Sequence, residues 1–380
     1  MKWEKVKLGN VTDSCLGKML DQNKNKGDYQ PYLANVNVRW GEFDLEDLPL
    51  MKFEESEQER YELKYGDLVI CEGGEPGRCA IWKEQIPNMK IQKALHRVRV
   101  HDCLDYRYLF YWFLLAGKTG ELDQYFTGAT IKHMPGQKLK EVVIDKPPLE
   151  IQHRIADILS AYDDLIENNQ KQIKLLEEAA QRLYKEWFVD LRFPGHENTK
   201  IVDGVPEGWI KEEIGKIIKK VHRTKQIVAS EYKDEGSIPI VDQSRAFVAG
   251  YTNDLEARVD FGIPIIVFGD HTRIVKLIQF PFAKGADGTQ LIISDCLEMP
   301  QRLLYCSIMN VDLSNYHYAR HFKYLKEEKI MIPTVKVANE FENNVTGIFS
   351  KIQNCRDEII RCQKTRDLLL PKLMSGEVEV

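Results

Sequence analysis

The feature of this 380-residue chain that most constrains its fold is a long apolar stripe that occurs twice. From Ile155 to Trp187, apolar residues recur at alternating steps of four and three, and nine of the ten positions are apolar. The same register returns at Phe341, 186 residues later, again with nine apolar positions in ten. This spacing keeps one helix face apolar over many turns, which favours a long helix packed against a partner helix. The predicted seam residues are Ile155, Leu159, Tyr162, Ile166, Ile173, Leu176, Leu183, Phe341, Val345, Ile348, Ile352, Ile359, Leu369 and Leu373.

Proline and glycine bound both stripes. Pro147-Pro148 precedes the first stripe and Pro194-Gly195 follows it, while Pro333-Thr334 and Ser375-Gly376 flank the second. Such residues start and stop helices, so each helix should hold about 35 to 40 residues and extend roughly 50–60 Å. A second interpretation stays open, in which each stripe is only the core face of its own domain. The predicted division is a first globular domain at 1–147, a central helix at 148–193, a second globular domain at 194–333 and a C-terminal helix at 334–380.

A globular segment precedes each helix, and the two segments share short motifs. Residues 3–9 begin with Trp and end with Gly, as do residues 209–215. Residues 66–71 form an apolar strand motif before a glycine-rich turn, and residues 262–270 repeat that pattern. Short strands at residues 142–144 and 329–332 then lead into the prolines that open the long helices. The shared strand motifs and the two long helices predict two related domains of the α+β class.

Catalytic and metal-binding motifs fail on inspection. Gly117-Lys118-Thr119 resembles the end of a P-loop, but Trp112 stands where the first glycine must be. His317 and His321 have helical metal-ligand spacing without a third ligand. The eight cysteines include no Cys-x-x-Cys pair, so we expect free thiols. The sequence therefore predicts a non-catalytic chain without a metal or cofactor of its own.

Basic residues cluster in both globular segments, although the formal net charge is −5. One cluster lies between residues 90 and 99, and another, interleaved with aromatic residues, lies between 318 and 326. Lys and Arg release counterions from phosphates, so basic clusters in both segments favour DNA binding over two independent solvated faces. The candidate DNA-contacting residues are Arg78, Lys90, Lys93 and Arg97 in the first segment and His271, Arg273, Lys284, Arg320 and Lys323 in the second.

The whole pattern resembles the specificity subunit of type I restriction-modification systems. The resemblance covers nearly the entire chain. It is carried by residues 147–156 (PPLEIQHRIA) at the helix junction and 369–377 (LLPKLMSGE) near the carboxyl end, and more loosely by residues 66–70, 268–273 and 319–323.

This resemblance implies a fold, a function and partners. The fold would be two target-recognition domains joined by two long helices that pair as an antiparallel coiled coil, with a pseudo-twofold internal repeat. Each domain would read one half of a bipartite, asymmetric target in double-stranded DNA. Two modification subunits carrying S-adenosylmethionine would clasp the helices, and restriction subunits would join that complex.

Two other functions are compatible with parts of the sequence. A coiled-coil scaffold with protein-binding globules would suit the acidic net charge, and the reader part of a fused methyltransferase-nuclease would need catalytic motifs that we do not find. The longest apolar run, residues 108–117, is far shorter than the roughly 20 residues that span a bilayer. The residues after Met1 lack the apolar stretch of a signal peptide, so we expect a soluble, cytoplasmic protein without a membrane partner.

Overall fold

The two long helices that the stripes predict extend over Leu149–Tyr184 and Val335–Ser375 in the structure, a computed structural model. The structure describes residues 3–19, 25–221, 224–285, 287–316 and 320–380. It divides into two units, and each takes a part of both helices. Unit 1 comprises Met1–Asn168 with Ile359–Val380, and unit 2 comprises Asn169–Glu358.

Unit 1 contains nine strands in three small sheets, as far as its described residues go. The sheet orders are β2-β8-β5-β6, β4-β3-β7 and β1-β9. The strands are β1 Glu4–Lys7, β2 Thr12–Leu16, β3 Asp28–Leu33, β4 Leu50–Phe53, β5 Leu68–Cys71, β6 Cys79–Ile81, β7 Lys90–Ile91, β8 Leu95–Val100 and β9 Val143–Lys146. The helices are α1 Gln58–Tyr61, α2 Tyr106–Thr119, α3 Gly136–Glu141 and the beginning of α4 Leu149–Tyr184.

The central strand β5 explains how unit 1 is layered. Successive side chains of a strand point to opposite faces, and all four residues of β5 are buried. Leu68 and Ile70 pack on the core that holds α2, whereas Val69 and Cys71 pack on the sheet formed by β3, β4 and β7. The 108–117 run lies in α2, where burial accounts for its apolar character.

The long helices join unit 1 through its core and through a polar network. Ile155 and Leu159 near the start of α4 share one core with Leu373 near the end of the C-terminal helix. The Tyr111 hydroxyl on α2 donates to Asp163 at 2.6 Å. Asp163 also accepts from Arg366 of the C-terminal helix, so one carboxylate connects three helices.

Unit 2 repeats this plan. Its strands are β10 Ile201–Val202, β11 Val205–Pro206, β12 Ile210–Glu213, β13 Ile238–Val241, β14 Gly250–Thr252, β15 Arg258–Val259, β16 Ile265–Gly269, β17 Val275–Ile278, β18 Phe282–Lys284, β19 Thr289–Ile292 and β20 Lys329–Ile332. Its helices are α5 Gln301–Met309, α6 His321–Glu327 and most of α7 Val335–Ser375. The sheet orders are β17-β16-β19, β14-β13-β18-β15, β12-β20 and β10-β11.

The central strand β16 matches β5 in its layering. Ile266 and Phe268 face the core that contains α5, and Ile265 and Val267 face the β13–β18 sheet. The pairing of β12 with β20 also reproduces the pairing of β1 with β9. The shared motifs at residues 3–9 and 209–215 therefore lie largely on the first strand of equivalent strand pairs.

Aromatic residues dominate the contact between the two long helices in unit 2. The Phe341 ring lies 5.1 Å from that of Phe188 and 5.7 Å from that of Trp187. Further along, Arg356 donates to Glu177 at 2.8 Å, and Asn169 donates to Glu358 at 3.1 Å. This part of the pair therefore combines a large apolar core with polar contacts.

The helix bounds are narrower than the predicted 148–193 and 334–380. α4 ends at Tyr184, and a single π-helical turn, Lys185–Val189, precedes the chain reversal at Pro194-Gly195. α7 continues through Pro371 and ends at Ser375. All fourteen predicted seam residues are buried or half-buried.

Two further expectations concern cysteines and membranes. None of the eight cysteines, all of which lie in the described ranges, forms a disulfide, and five of them are buried. Buried thiols behave as small apolar residues. No helix within the described residues is both long enough and apolar enough to cross a membrane.

Candidate nucleic-acid interface

A polar cleft of about 650 Å³ in unit 2 brings together three of the predicted DNA-contacting residues, His271, Lys284 and Arg320. His271 and Arg320 are exposed, and Lys284 is half-buried. The other residues that line the cleft are Val221, Thr224, Gln226, Asp270, Asp287, Gly288, Gln290 and Leu291.

The ends of two sheets position these side chains. His271 follows β16 by two residues, Lys284 ends β18, and Arg320 directly precedes α6. Gln243, just beyond β13, ties the turn after β16 in place. Its Oε1 accepts from the His271 backbone N–H at 3.1 Å, and its Nε2 donates to the Asp287 carbonyl oxygen at 2.9 Å.

The cleft contains charges of both signs, since Lys284, Arg320 and two aspartates line it. Burial lowers the pKa of Lys284, and the nearby Asp287 carboxylate opposes that effect. With its amide oriented to match its neighbours, Gln226 accepts from Lys284 Nζ at 3.0 Å and donates to Asp287 at 3.1 Å. The exposed amides and cations together offer both donors and acceptors, the chemistry that reads base edges and phosphates.

Arg273 and Lys323 do not line the cleft. Arg273 donates to the Leu313 carbonyl oxygen at 3.2 Å and borders a separate groove of about 430 Å³. Lys323 is exposed on α6, with its ammonium 5.8 Å from the ring centre of Tyr324. DNA contacts by these two residues stay predictions.

In unit 1, Arg78 and Lys93 are accessible to different degrees. Lys93 is exposed. Arg78 is half-buried and donates to both the carbonyl and the side-chain oxygen of Asn35, at 3.2 and 3.0 Å, and to Glu75 at 2.9 Å. Lys93 is therefore the more accessible cation of the two.

Lys90 and Arg97 require a correction, because neither presents its charge at the surface. Lys90 has no exposed area, and its ammonium donates to Glu62 at 2.6 Å. Arg97 is 9% exposed, and its guanidinium donates to the Arg60 carbonyl oxygen at 2.9 Å. Both hold the segment around residue 60 against the strands, so the prediction that they contact DNA is wrong for this fold.

Sequence reasoning missed the amides Gln226, Gln243 and Gln290. Lone glutamines carry no motif, and their importance follows from strands that are distant in the chain. The signal that was available is positional: Gln243 follows β13 just as Asn35 follows β3. Asn35 donates to the carbonyl oxygen of Gly73, in the turn after β5, at 2.7 Å, so each unit uses an amide to hold the same turn.

The structure describes one residue of the histidine pair that was considered for metal binding. His317 lies outside the described residues. The ring nitrogens of His321 lie close to carbonyl oxygens of Asp270 and Tyr316. Over the described ranges, no group of three or more His, Cys, Asp or Glu side chains is arranged to hold a metal ion.

Comparisons with known proteins identify relatives of this chain. Residues 1–178 match the family model described as type I restriction modification DNA specificity domain. The chain is 31% identical over 343 residues to the MjaIX specificity subunit of a type I restriction enzyme from Methanocaldococcus jannaschii, covering 83% of this chain and 78% of the relative. Over 97 residues it is 31% identical to the EcoR124I/EcoR124II specificity subunit from Escherichia coli, covering 25% of this chain and 24% of the relative.

A solved structure is similar over almost the full length. The crystal structure of a type I restriction-modification S subunit from M. genitalium aligns with a TM-score of 0.58 and 17% identity, covering 98% of this chain and 96% of that chain. This likeness shows the fold. The sequence matches show that the chain belongs to the family of type I restriction-modification specificity subunits and acts as a specificity subunit.

Proposed function

We propose that this specificity subunit reads a bipartite, asymmetric target in double-stranded DNA, with one half read by each globular domain. The observation that carries the proposal is the unit 2 cleft, where His271, Lys284 and Arg320 converge beside Gln290. Arginine and lysine recognise guanine edges or phosphates, and glutamine recognises adenine. The cleft therefore offers residues suited to base recognition.

Asymmetry of the target follows from the differences between the domains. The same turn after the central strand carries His271 in unit 2 and Gly73 in unit 1. Because base contacts depend on individual side chains, two domains with a shared scaffold and different side chains should read different half-sites. Arg78, Lys93, Arg273 and Lys323 are the further candidates for contacts to bases or phosphates.

The long helices would act as an antiparallel coiled-coil spacer and give the subunit a pseudo-twofold internal repeat. Contacts within the units support this pairing, because residue numbers rise on α4 while they fall on α7. Asp163 bonds to Arg366 in unit 1. In unit 2, Glu177 bonds to Arg356, and the Trp187 ring lies near Phe341. Two half-sites read from one face of B-DNA lie about 34–36 Å apart, a span that helices of about 40 residues bridge.

The subunit would itself be non-catalytic. Its partners would be double-stranded DNA, two modification subunits that bind S-adenosylmethionine and dock on the helices, and restriction subunits. The sequence supports this proposal in that no catalytic motif survives inspection. Its site of action would be the cytoplasm, where restriction-modification complexes meet DNA.

Selection from a random duplex library tests the bipartite target. The chain, co-expressed with the modification subunits of its host, is expected to enrich two short unlike sequences separated by a fixed gap. Replacing residues 1–146 with the first domain of another specificity subunit should change one half and leave the other unchanged. A folded chimera that loses both halves would contradict the modular assignment.

A further inference from the structure

His321, the first residue of α6, has an unusual pair of hydrogen-bond partners. Its ring is 5% exposed. Nδ1 lies 2.9 Å from the carbonyl oxygen of Asp270, and Nε2 lies 2.8 Å from the carbonyl oxygen of Tyr316. Both distances are typical of good hydrogen bonds, and both partners are acceptors without a proton to donate.

A neutral imidazole cannot satisfy this arrangement. It carries one N–H and one lone pair, so one nitrogen would direct its lone pair at a carbonyl oxygen less than 3 Å away. Only the imidazolium donates from both nitrogens. Since an unsatisfied buried polar contact is costly, the geometry favours a proton on each nitrogen.

The surroundings of His321 can tolerate a positive charge. The Asp270 carboxylate accepts from the Phe322 backbone N–H at 2.8 Å, so an anion lies at the start of the same helix. The rings of Tyr316 and Tyr324 stack with their centres 4.0 Å apart. The other charged side chains of residues 320–327 are Arg320, Lys323, Lys326 and Glu327, all of which are exposed.

The second element packed on α6 contributes charge only at the far end of the helix. The turn Ile214–Lys216 meets α6 at Lys326, where a Cβ on Gly215 would come within 3.1 Å of the Lys326 side chain. Lys216 on this turn is neutralised by Glu212 at 2.9 Å. Asp270 is therefore the acidic side chain that the described packed elements bring to the beginning of α6.

The two carbonyl groups connect His321 to the cleft. Asp270 lines the cleft next to His271. Arg320, which directly precedes His321 in the chain, lines the cleft as well. His321 thus links the strand end that carries His271 to Tyr316 and to the residue that presents Arg320. Loss of either hydrogen bond would remove one of the contacts that hold the backbone before Arg320 against the end of β16.

We propose that His321 is a doubly protonated positioning residue, which holds Arg320 in the cleft and makes DNA binding by unit 2 weaken when His321 loses a proton. This inference rests on the proposed function of the cleft, but the charge of the ring is measurable without DNA.

Unit 1 provides an internal contrast. Its Met134 backbone N–H donates to the Glu72 carbonyl oxygen, just as the His321 N–H donates to that of Asp270, so Met134 holds the equivalent position. Methionine carries no titratable group. His96 packs against this position, where its ring contacts the carbonyl oxygen of Met134, and burial lowers its pKa. The position of His321 therefore has no titratable counterpart in unit 1.

Nitrogen-15 NMR of histidine side chains tests the charge directly on the full chain. At about pH 6, His321 is expected to show two protonated ring nitrogens, identified by the loss of its signals in His321→Gln. A spectrum with one protonated and one unprotonated nitrogen would overturn the proposal, whatever the DNA-binding results.

Binding of a fluorescein-labelled random-sequence duplex tests the positioning role. Wild-type affinity should fall about tenfold between about pH 6 and pH 8.5, the size of one charge-assisted hydrogen bond. His321→Gln should bind weakly at both pH values, with its fold confirmed by circular dichroism. His196→Gln is the matched control, because His196 is a half-buried unit 2 histidine with one carbonyl contact that lies outside the cleft.

Two further outcomes separate this inference from the proposed function. If His321→Gln keeps the wild-type pH profile while Arg320→Ala weakens binding, the cleft binds DNA and the positioning role of His321 is refuted. If Arg320→Ala binds as tightly as wild type at low pH, the cleft itself is not the DNA site, and the proposed function of the cleft fails with the inference. In the expected result, Arg320→Ala binds weakly, and adding His321→Gln to it changes neither its affinity nor its pH profile, because His321 acts through Arg320.

Discussion

Units 1 and 2 share a strand plan but attach their long helices by different chemistry. In unit 1 the Tyr111 hydroxyl on α2 donates to Asp163, which also accepts from Arg366. In unit 2 the equivalent tyrosine on α5, Tyr305, packs edge-on against Phe349 with ring centres 5.5 Å apart. Asp163 and Phe349 are separated by the same 186 residues as the two apolar stripes. The repeat has thus preserved the geometry of this contact while its chemistry diverged.

The turns after the central strands differ in the same way. Asn35 and Gln243 both use a side-chain amide to hold the turn, so the supporting contact is kept. The side chains that the turns present have changed, and unit 2 displays His271 where unit 1 has Gly73. A conserved support with variable exposed residues is what a domain needs in order to read different sequences on one scaffold.

The largest expected effect is on the stability of unit 2. Phe341 is fully buried against three aromatic rings, so Phe341→Ala should lower the free energy of unfolding by about 3–5 kcal/mol. Hydrogen exchange read by mass spectrometry should show the loss of protection in unit 2 peptides. Phe341→Leu, which keeps much of the volume, should lose less. A comparable loss of protection in unit 1 peptides would show that the two units do not respond separately.

A smaller effect is expected for the polar network of unit 1. Asp163→Ala removes the acceptor of both Tyr111 and Arg366, and we expect a cost of about 2–3 kcal/mol in urea denaturation. The matched change in unit 2, Glu177→Ala, should cost less, because Arg356 keeps its contact at 3.7 Å from the ring centre of Phe247.

A double-mutant cycle identifies the origin of that cost. Arg366 also donates to Asp367 at 2.9 and 3.1 Å, so it keeps a carboxylate partner in Asp163→Ala. If Asp163 and Arg366 interact, Asp163→Ala combined with Arg366→Met should cost less than the sum of the two single variants. Strictly additive effects would indicate that the two side chains do not interact, and the contrast between the units would then rest on packing alone.

The long helices show what can be predicted from the sequence, and Lys90 shows what cannot. The apolar stripe reports directly on burial along one helix face, so all fourteen seam predictions fall on buried or half-buried residues. Trp82 and Lys90 are equally buried, yet only the tryptophan looks like a core residue. Lys90 is neutralised by Glu62, 28 residues away, and such a through-space partner leaves no local pattern.

The cleft shows the same limit. His271, Lys284 and Arg320 can be predicted as candidates from residue type, because cationic side chains bind guanine edges or phosphates. Gln243 was not predicted, because its role depends on the turn that folds over it. Residue types predict the chemistry of a surface, whereas the supports behind it follow only from the strand topology.

Substitution of an accessible cation should weaken DNA binding by about 1–3 kcal/mol or less, whereas substitution of a buried cation should leave DNA binding unchanged. Arg320→Ala should lose about 1–3 kcal/mol of affinity if Arg320 contacts a base, with relaxed choice at one position of the unit 2 half-site. In unit 1, Lys93→Ala should reduce the slope of log affinity against log salt by about one, as expected for one phosphate contact.

Lys90→Met is the matched control for Lys93→Ala. Because Lys90 is buried on Glu62, the change should leave the salt slope unaltered and should act on stability instead. A reduced slope for Lys90→Met would mean that the Lys90 ammonium reaches DNA and that its contact with Glu62 does not hold it in the core.

The smallest expected effect is the contribution of Lys276 to the pH dependence of stability, which has no lysine counterpart in unit 1. Burial lowers the pKa of Lys276 to about 8, with the Arg356 charge adding to the effect and Asp242 opposing it. The equivalent position on β6 of unit 1 is Ala80, which cannot titrate. Between about pH 8 and the unfolded value of 10.5, the unfolded chain binds more protons than the folded one, so the free energy of unfolding should rise with pH.

The size of this rise should be on the order of 1 kcal/mol, because the Lys276 ammonium also donates to the carbonyl oxygens of Asp242 and Ala246, which favour its charged form. Hydrogen exchange corrected for its intrinsic pH dependence should therefore show that unit 2 of the wild type gains protection from about pH 8 to pH 10 relative to unit 2 of Lys276→Met. The buried cysteines are common to both chains, so this comparison isolates the lysine. If unit 2 instead loses protection over this range, the two carbonyl contacts outweigh burial, and Lys276 is held as an ammonium throughout.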